Sequence, residues 1–378
     1  MFALTNCRIF TSFDCLEDHA VLIDGKRIAG IVADQELSSE IRQLDLEGGY
    51  LAPGFIDIQV NGGGGVMFND HPNVESIARI GDAHRQFGTV GFLPTLISGS
   101  RETVGEAIKA VEEGLVSGVP GLLGLHLEGP AINPARRGMH PQTRIGSLSE
   151  AEIAGLVGLP ALRIVTLAPE CAPPGLIAEL NTAGVKVLGG HTEATAEEIA
   201  NAKVEGLCGV THLFNAMSGF SGRAPGTIGA ALSDDDLWCS IIADGVHVHV
   251  ASIRAAWYAK RKKLLLVTDA MAPVGAEITE FEQDGHRIIV RDNSCYLADG
   301  RLAGSTLEMS SAVRHCVSSV ELPLDEALRM ASTYPAAFLG LSTKLGQIKT
   351  GYDASLVWLD NGLEVKAVWI EGEEWLYD

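Results

Sequence analysis

Eight short apolar stretches, most followed by a segment with helical periodicity, run through the middle of the chain, and this alternation constrains its fold more than any other feature. The stretches are Phe55–Ile58, Val90–Leu93, Leu122–Leu125, Leu162–Val165, Val185–Leu188, Gly209–Thr211, Cys239–Ile242 and Leu264–Val267. Helical patterns follow at, for example, Val74–Phe87, Arg101–Val116, Ala194–Glu205 and Ala251–Lys262. Short continuous apolar runs are the mark of strands buried on both faces, and a helix after each one returns the chain to the same sheet in parallel. Eight such units predict an α/β fold closed into a (β/α)8 barrel of the TIM type.

A barrel of this kind uses about 250 residues, and the chain has 378. The remainder reads as β-structure at both ends. Residues 1–52 alternate apolar stretches with turn signals such as Asp24-Gly25, and Ala354–Leu359 and Val365–Ile370 flank the turn Asp360-Asn361-Gly362. The expectation is a small β-sandwich domain made from 1–52 plus 344–378, beside a barrel at 53–343. Within the barrel, residues 275–303 interrupt the alternation with a hairpin pattern, Arg287–Val290 and Cys295–Leu297 around Asp292-Asn293. This insertion is expected to be either part of a lid or a surface excursion.

With 28 basic and 48 acidic residues the net charge is −20, which argues against nucleic acid or an anionic membrane surface as a partner. An anionic ligand then needs a local cluster of Arg, His and backbone N–H groups. The seven cysteines are scattered and contain no CxxC pair, as in a reducing compartment. The beginning of the chain has no basic, then apolar, signal pattern, and no apolar run reaches the ~18 residues of a membrane span. These features predict a cytoplasmic protein.

Active sites of such barrels lie at the C-terminal ends of the strands. The polar residues there are Gln59 and Asn61 after the first strand, Glu128 after the third, His191 after the fifth, His212 after the sixth, His247 and His249 after the seventh, and Asp269 after the eighth. Two imidazoles and a carboxylate suit Zn²⁺ or a similar divalent ion with a position left open for water. Asp269 remains free to move protons.

The blocks Ala52–Gly62, Gly124–Pro130 (with His126-Leu127-Glu128), Gly190-His191-Thr192, Thr211–Met217, Ile242–His247 and Val267–Ala270, in this order and spacing, resemble the N-acetylglucosamine-6-phosphate deacetylases of the amidohydrolase superfamily. Many amidohydrolases carry His-x-His on the first strand to hold a second metal. Here Gln59-Val60-Asn61 stands in that place. An amide is a poor Zn²⁺ ligand, so one metal per subunit is expected, on Glu128, His191 and His212. Zn²⁺ is the first expectation, with Fe²⁺, Mn²⁺ or Co²⁺ open.

The resemblance further implies that Gln59 and Asn61 contact water near the metal. Asp269 acts as general base and then acid on an N-acetyl amino-sugar phosphate, and Met139 and His140 meet the substrate, His140 at its carbonyl. It assigns the phosphate to Asn215, Ala216, Arg223 and His247, and a sugar-contacting loop to Leu302, Ala303 and Gly304. Arg223 would reach a neighbouring subunit's site, which implies a homodimer or homotetramer.

His126 reads as a core or supporting histidine, and His249, where the family commonly has an acidic residue, carries no assigned role. His71, His84, His286 and His315 read as surface or helix residues. Gly62–Gly65 lacks the Lys-Ser/Thr of a phosphate loop and is expected to let backbone approach the metal site. The alternatives are a deacetylase for the galactosamine epimer, a cyclic-amide hydrolase and a non-catalytic sugar-phosphate binder. The cyclic-amide reading is disfavoured by Gln59, Asn61 and the lack of a lysine near Leu167–Glu170. Intact Glu128, His191, His212 and Asp269 disfavour the binder.

Overall fold

The computed structural model describes residues 1–146, 155 and 157–377. Eight parallel strands stand side by side in chain order: β1 (Phe55–Val60), β2 (Thr89–Ile97), β3 (Leu125–Glu128), β4 (Leu162–Leu167), β5 (Lys186–Gly189), β6 (Leu207–Val210), β7 (Trp238–Ile242) and β8 (Leu264–Val267). Every residue of β1, β2, β3 and β8 is buried, which explains why these strands read as unbroken apolar runs. The third strand lies three residues later than its apolar run suggests. Gly124, at φ 140°, separates Leu122, which makes only an isolated bridge to Phe92, from the strand proper.

Between β1 and β8 the ring closes at the C-terminal end. The Asp269 N–H donates to the Gln59 carbonyl at 2.9 Å, the Asn61 N–H donates to the Ala270 carbonyl at 3.0 Å, and Val60 bridges Ala270 in parallel. The arrangement is a (β/α)8 barrel, and this seam carries three of the chemically interesting side chains.

Helices α1 (Val74–Arg85), α2 (Arg101–Ser117), α3 (Leu176–Thr182), α4 (Ala196–Glu205), α5 (Gly226–Ser233) and α6 (Val250–Lys260) cover the outside. Four of these six, α1, α2, α4 and α6, start at a side-chain cap. Thr195 and Glu198 form a capping box, so α4 begins at Ala196. His249 Nδ1 accepts from the Ala251 N–H at 3.1 Å and starts α6. Capping is thus a structural use for a histidine without an assigned role.

The chain ends build two sheets. Tyr50–Pro53 pairs antiparallel with Leu356–Leu359 inside a six-stranded sheet, so the two termini share strands. A four-stranded sheet containing Phe2–Thr5 faces it across a core that includes Leu4, Ile9, Val21 and Trp369.

The insertion after β8 is larger than a hairpin. It is a four-stranded antiparallel meander, β9 (Glu280–Gln283), β10 (His286–Arg291), β11 (Ser294–Leu297) and β12 (Leu302–Ser305). Ser305 ties it to the barrel, bridging Ala270 and donating from Oγ to the Thr268 carbonyl at 2.5 Å.

Candidate metal centre and active-site cavity

His191, His212 and Asp269 each directly follow or nearly follow a barrel strand, and each sits at positive φ, 50°, 34° and 50°. Non-glycine residues seldom adopt this conformation, and clusters of it mark sites where a side chain must be aimed rather than packed. These three turns bring the side chains to Glu128, the last residue of β3.

His191 Nε2 and His212 Nε2 lie 3.1 and 3.0 Å from Glu128 Oε1 and 3.1 Å from each other. All three residues are buried. Glu128 is held well below the usual carboxylate range: burial works to raise it, and hydrogen bonds and charge from His191 and His212 outweigh burial. Two imidazole nitrogens facing one another beside a carboxylate cannot all be satisfied by sharing protons, whereas a divalent cation satisfies all three at once.

His140 also approaches, with Nε2 at 4.0 Å from Glu128 Oε2, and Glu128, His140 and His191 present ligand-type atoms within 4.8 Å of one another. Its neighbours argue for a different use. The Ser98 backbone N–H donates to His140 Nδ1 at 3.2 Å, with Ser98 Oγ 2.8 Å away. An imidazole that accepts at Nδ1 carries its proton on Nε2 when neutral, so Nε2 is a donor without a lone pair. That Nε2 is buried with no partner. His191 is the opposite case: its Nδ1 lies 2.8 Å from the Arg136 carbonyl, to which it donates, leaving the Nε2 lone pair free. The donor set that fits a divalent ion is therefore Glu128, His191 and His212.

Gln59 and Asn61 take up places beside carboxylates. Gln59 Nε2 donates to Glu128 Oε1 at 3.1 Å, and Asn61 Nδ2 donates to Asp269 Oδ1 at 2.6 Å. The amide oxygen of each is buried and without a partner. Burial, followed by the charge of Glu128, pushes the Asp269 carboxyl up to about 6.

A cavity of about 460 Å³ opens over this cluster. Met139, Asn215, Ala216, His247 and the segment Leu302-Ala303-Gly304 all line it. The insertion thus forms cavity wall through β9 and β12. Arg223 is exposed and does not line the cavity.

Several supporting residues escape a reading confined to strand ends. Asp244 Oδ2 accepts from His247 Nδ1 at 2.6 Å and its Oδ1 accepts from the His247 N–H at 2.8 Å, so the ring is fixed with Nε2 free. The Asp-Gly-Val-His spacing carries that signal as a side-chain-capped turn. Glu170 Oε2 accepts from Thr192 Oγ1 at 2.5 Å and steadies the turn that holds His191. Ser98, the residue directly after β2, takes its role from the His140 ring it meets.

His126 is a buried core histidine, bonded to the Ile58 carbonyl at 2.9 Å and Thr166 Oγ1 at 2.8 Å. His71 and His286 are exposed, whereas His84 on α1 is fully buried. The glycines after β1 approach something other than the metal cluster. A Cβ on Gly62 would meet the Val66 carbonyl at 2.5 Å and the Ala272 nitrogen at 2.8 Å, and one on Gly63 would touch His84 at 3.0 Å.

Among the described residues no helix is long and apolar enough to cross a membrane, and all seven cysteines are free. Residues 50–374 match the amidohydrolase family and residues 1–51 the NagA composite domain. An N-acetylgalactosamine-6-phosphate deacetylase of Shewanella sp. (strain ANA-3) is 39% identical, over 99% of this chain and 95% of that protein. An N-acetylglucosamine-6-phosphate deacetylase of Haemophilus influenzae is 36% identical, over 98% of both. The crystal structure of N-acetylglucosamine-6-phosphate deacetylase from Pasteurella multocida superposes with a TM-score of 0.97 at 36% identity, over 100% of both chains.

Proposed function

This chain belongs to the amidohydrolase family, and we propose that it hydrolyses the N-acetyl group of N-acetyl-D-glucosamine 6-phosphate to D-glucosamine 6-phosphate and acetate. The observation that carries the reading is the convergence of Glu128, His191 and His212 with Asp269 and the unpartnered Nε2 of His140 at one cavity. Full-length relatives bearing that activity's name add to it.

Glu128, His191 and His212 would hold one divalent ion, Zn²⁺ as first choice with Fe²⁺, Mn²⁺ or Co²⁺ open. Such an ion, when bound, makes water nucleophilic near neutral pH and polarises the amide carbonyl. The residues of the chain do the rest. Asp269 accepts the proton of the attacking water and passes it to the departing nitrogen as the C–N bond breaks, so that acetate and a free amine leave. His140 donates from Nε2 to the carbonyl oxygen as negative charge builds there. The unpartnered oxygens of Gln59 and Asn61 are acceptors for the water's hydrogens. Met139, Leu302, Ala303 and Gly304 enclose the sugar.

The phosphate falls to Asn215, whose buried side-chain amide nitrogen has no partner, to Ala216 and to His247, oriented by Asp244. Arg223 lies outside the cavity of its own chain, so its part in binding phosphate would be played in the site of a second copy, in a homodimer or homotetramer. The free thiols support placement in the cytoplasm.

A second reading, the galactosamine epimer as substrate, is favoured by the 39% identical Shewanella relative of that activity. The two differ at one hydroxyl. Acetate release by the metal-loaded protein decides between them, with N-acetylglucosamine 6-phosphate, its C4 epimer and unphosphorylated N-acetylglucosamine in parallel. Turnover of neither phosphate would refute the function stated here.

A further inference from the structure

The meander inserted after β8 packs an apolar face behind the methionines that line the cavity. Phe281, Ile288, Cys295 and Leu297 pack there with Met67, Met139 and Met271. Gln283 interrupts that face. It lies two residues after Phe281 on β9 and so on the same side of the strand, opposite His286 at the end of the hairpin. It is only 2% exposed.

Its Oε1 is buried with no hydrogen-bond partner, yet the residue lines the cavity that holds the catalytic cluster. Burying an amide without a partner costs free energy that Leu or Met in the same place would avoid. Apart from the exposed His286 opposite it, the residues packed on this face are apolar or sulfur-containing, and none of them gives Gln283 Oε1 a partner. A ligand group that reaches this wall would supply the missing partner.

Resting on the proposed deacetylase reading, the chemistry of that group can be narrowed. The N-acetyl end of the substrate is directed to the metal cluster and the phosphate end to Asn215 and His247. The ring edge between them that offers two adjacent hydroxyls is C3–C4. Each hydroxyl donates and accepts, which matches the paired donor and acceptor of a glutamine amide. We propose that Gln283 is a specificity-determining residue that hydrogen-bonds a hydroxyl on the C3–C4 edge of the sugar ring. The insertion then takes part in selecting the sugar as well as enclosing it.

The test uses the metal-loaded wild type, Gln283→Leu and the near-isosteric Gln283→Met. For each, kcat/KM is measured on N-acetylglucosamine 6-phosphate, its C4 epimer and the 3-deoxy and 4-deoxy analogues, with melting temperature and metal content as controls. In the wild type, removal or inversion of the contacted hydroxyl should lower kcat/KM about 10- to 100-fold. In both variants the parent substrate should fall by a similar factor, and the penalty for altering that hydroxyl should shrink to about threefold or less.

Variants that keep the wild-type ranking of the four compounds overturn the inference, whether or not their overall rate falls. A wild-type enzyme active on the parent compound separates that outcome from failure of the deacetylase reading. A wild type that hydrolyses none of the four defeats both. If Gln283→Leu does not fold, Gln283→Met carries the comparison.

Discussion

Asn61 Nδ2 donates to Asp269 Oδ1 at 2.6 Å across the seam where the first and eighth barrel strands close the ring. The backbone bonds of the same seam fix both residues, so the carboxylate is presented to the cavity in one orientation. Asp269→Asn keeps the shape and removes the proposed base. The expected result is a fall in kcat of about 10³-fold with metal content unchanged. Asn61→Ala leaves the base and loosens its aim, and is expected to cost about tenfold. Steady-state kinetics with metal analysis checks both, and an Asp269→Asn variant within tenfold of wild type would remove Asp269 from the mechanism.

Gln59 donates to Glu128 in the place where a second metal's histidines would stand. Metal titration followed by elemental analysis should therefore saturate at about one divalent ion per chain. Chelation should abolish acetate release and the added ion restore it. His212→Ala removes one of the three proposed ligands and should bind the ion at least about tenfold more weakly. Saturation at two ions would exclude the single-site arrangement.

The eight strands were legible because burial on both faces leaves an unbroken apolar run, and the ligand-type residues were legible because a barrel places them at strand ends. The third strand slipped because its apolar run begins before Gly124, whose φ of 140° keeps Leu122 out of the strand proper. The insertion looked like one hairpin because its outer strands, Glu280–Gln283 and Leu302–Ser305, are short and carry polar or glycine residues. Ser98 was missed because only its contact with His140, distant in sequence, gives it a role, and Gln283 because its burial without a partner for Oε1 is a property of the fold alone. Asp244 was within reach, three residues before the ring it orients.

Arg223 offers a test of assembly as well as of binding. Arg223→Ala should raise KM for the phosphorylated substrate about 10- to 100-fold, the worth of a charge-assisted hydrogen bond, and leave the slow hydrolysis of the unphosphorylated sugar unchanged. If the arginine serves a neighbour, a hybrid of Arg223→Ala and Asp269→Asn chains contains sites with both residues intact. Mixing the two variants under subunit exchange should then restore a fraction of wild-type activity at phosphorylated-substrate concentrations well below the raised KM of Arg223→Ala. No recovery in demonstrated hybrids would place Arg223 in its own chain's site or in none.

His84 gives a prediction about stability. The ring is fully buried, its Nε2 donates to the Gly62 carbonyl at 2.9 Å, and its Nδ1 has no partner. Burial lowers it from 6.5 to about 4, with the Gly62 hydrogen bond opposing. At neutral pH the ring is unprotonated in both folded and unfolded chains, and the contribution to stability is fully present. As pH falls below 6.5 the unfolded chain takes up a proton that the folded one refuses until about 4, so stability is lost across that window, by about 3 kcal/mol in all. His84→Gln keeps a donor for Gly62 and removes the titration. Denaturant unfolding at pH 7 and pH 4.5 should show a smaller loss in the variant than in the wild type, by about 2 to 3 kcal/mol. Equal losses would mean that the ring takes up its proton as easily folded as unfolded. The glycine turn behind Asn61 would then rest on something other than a neutral, buried His84.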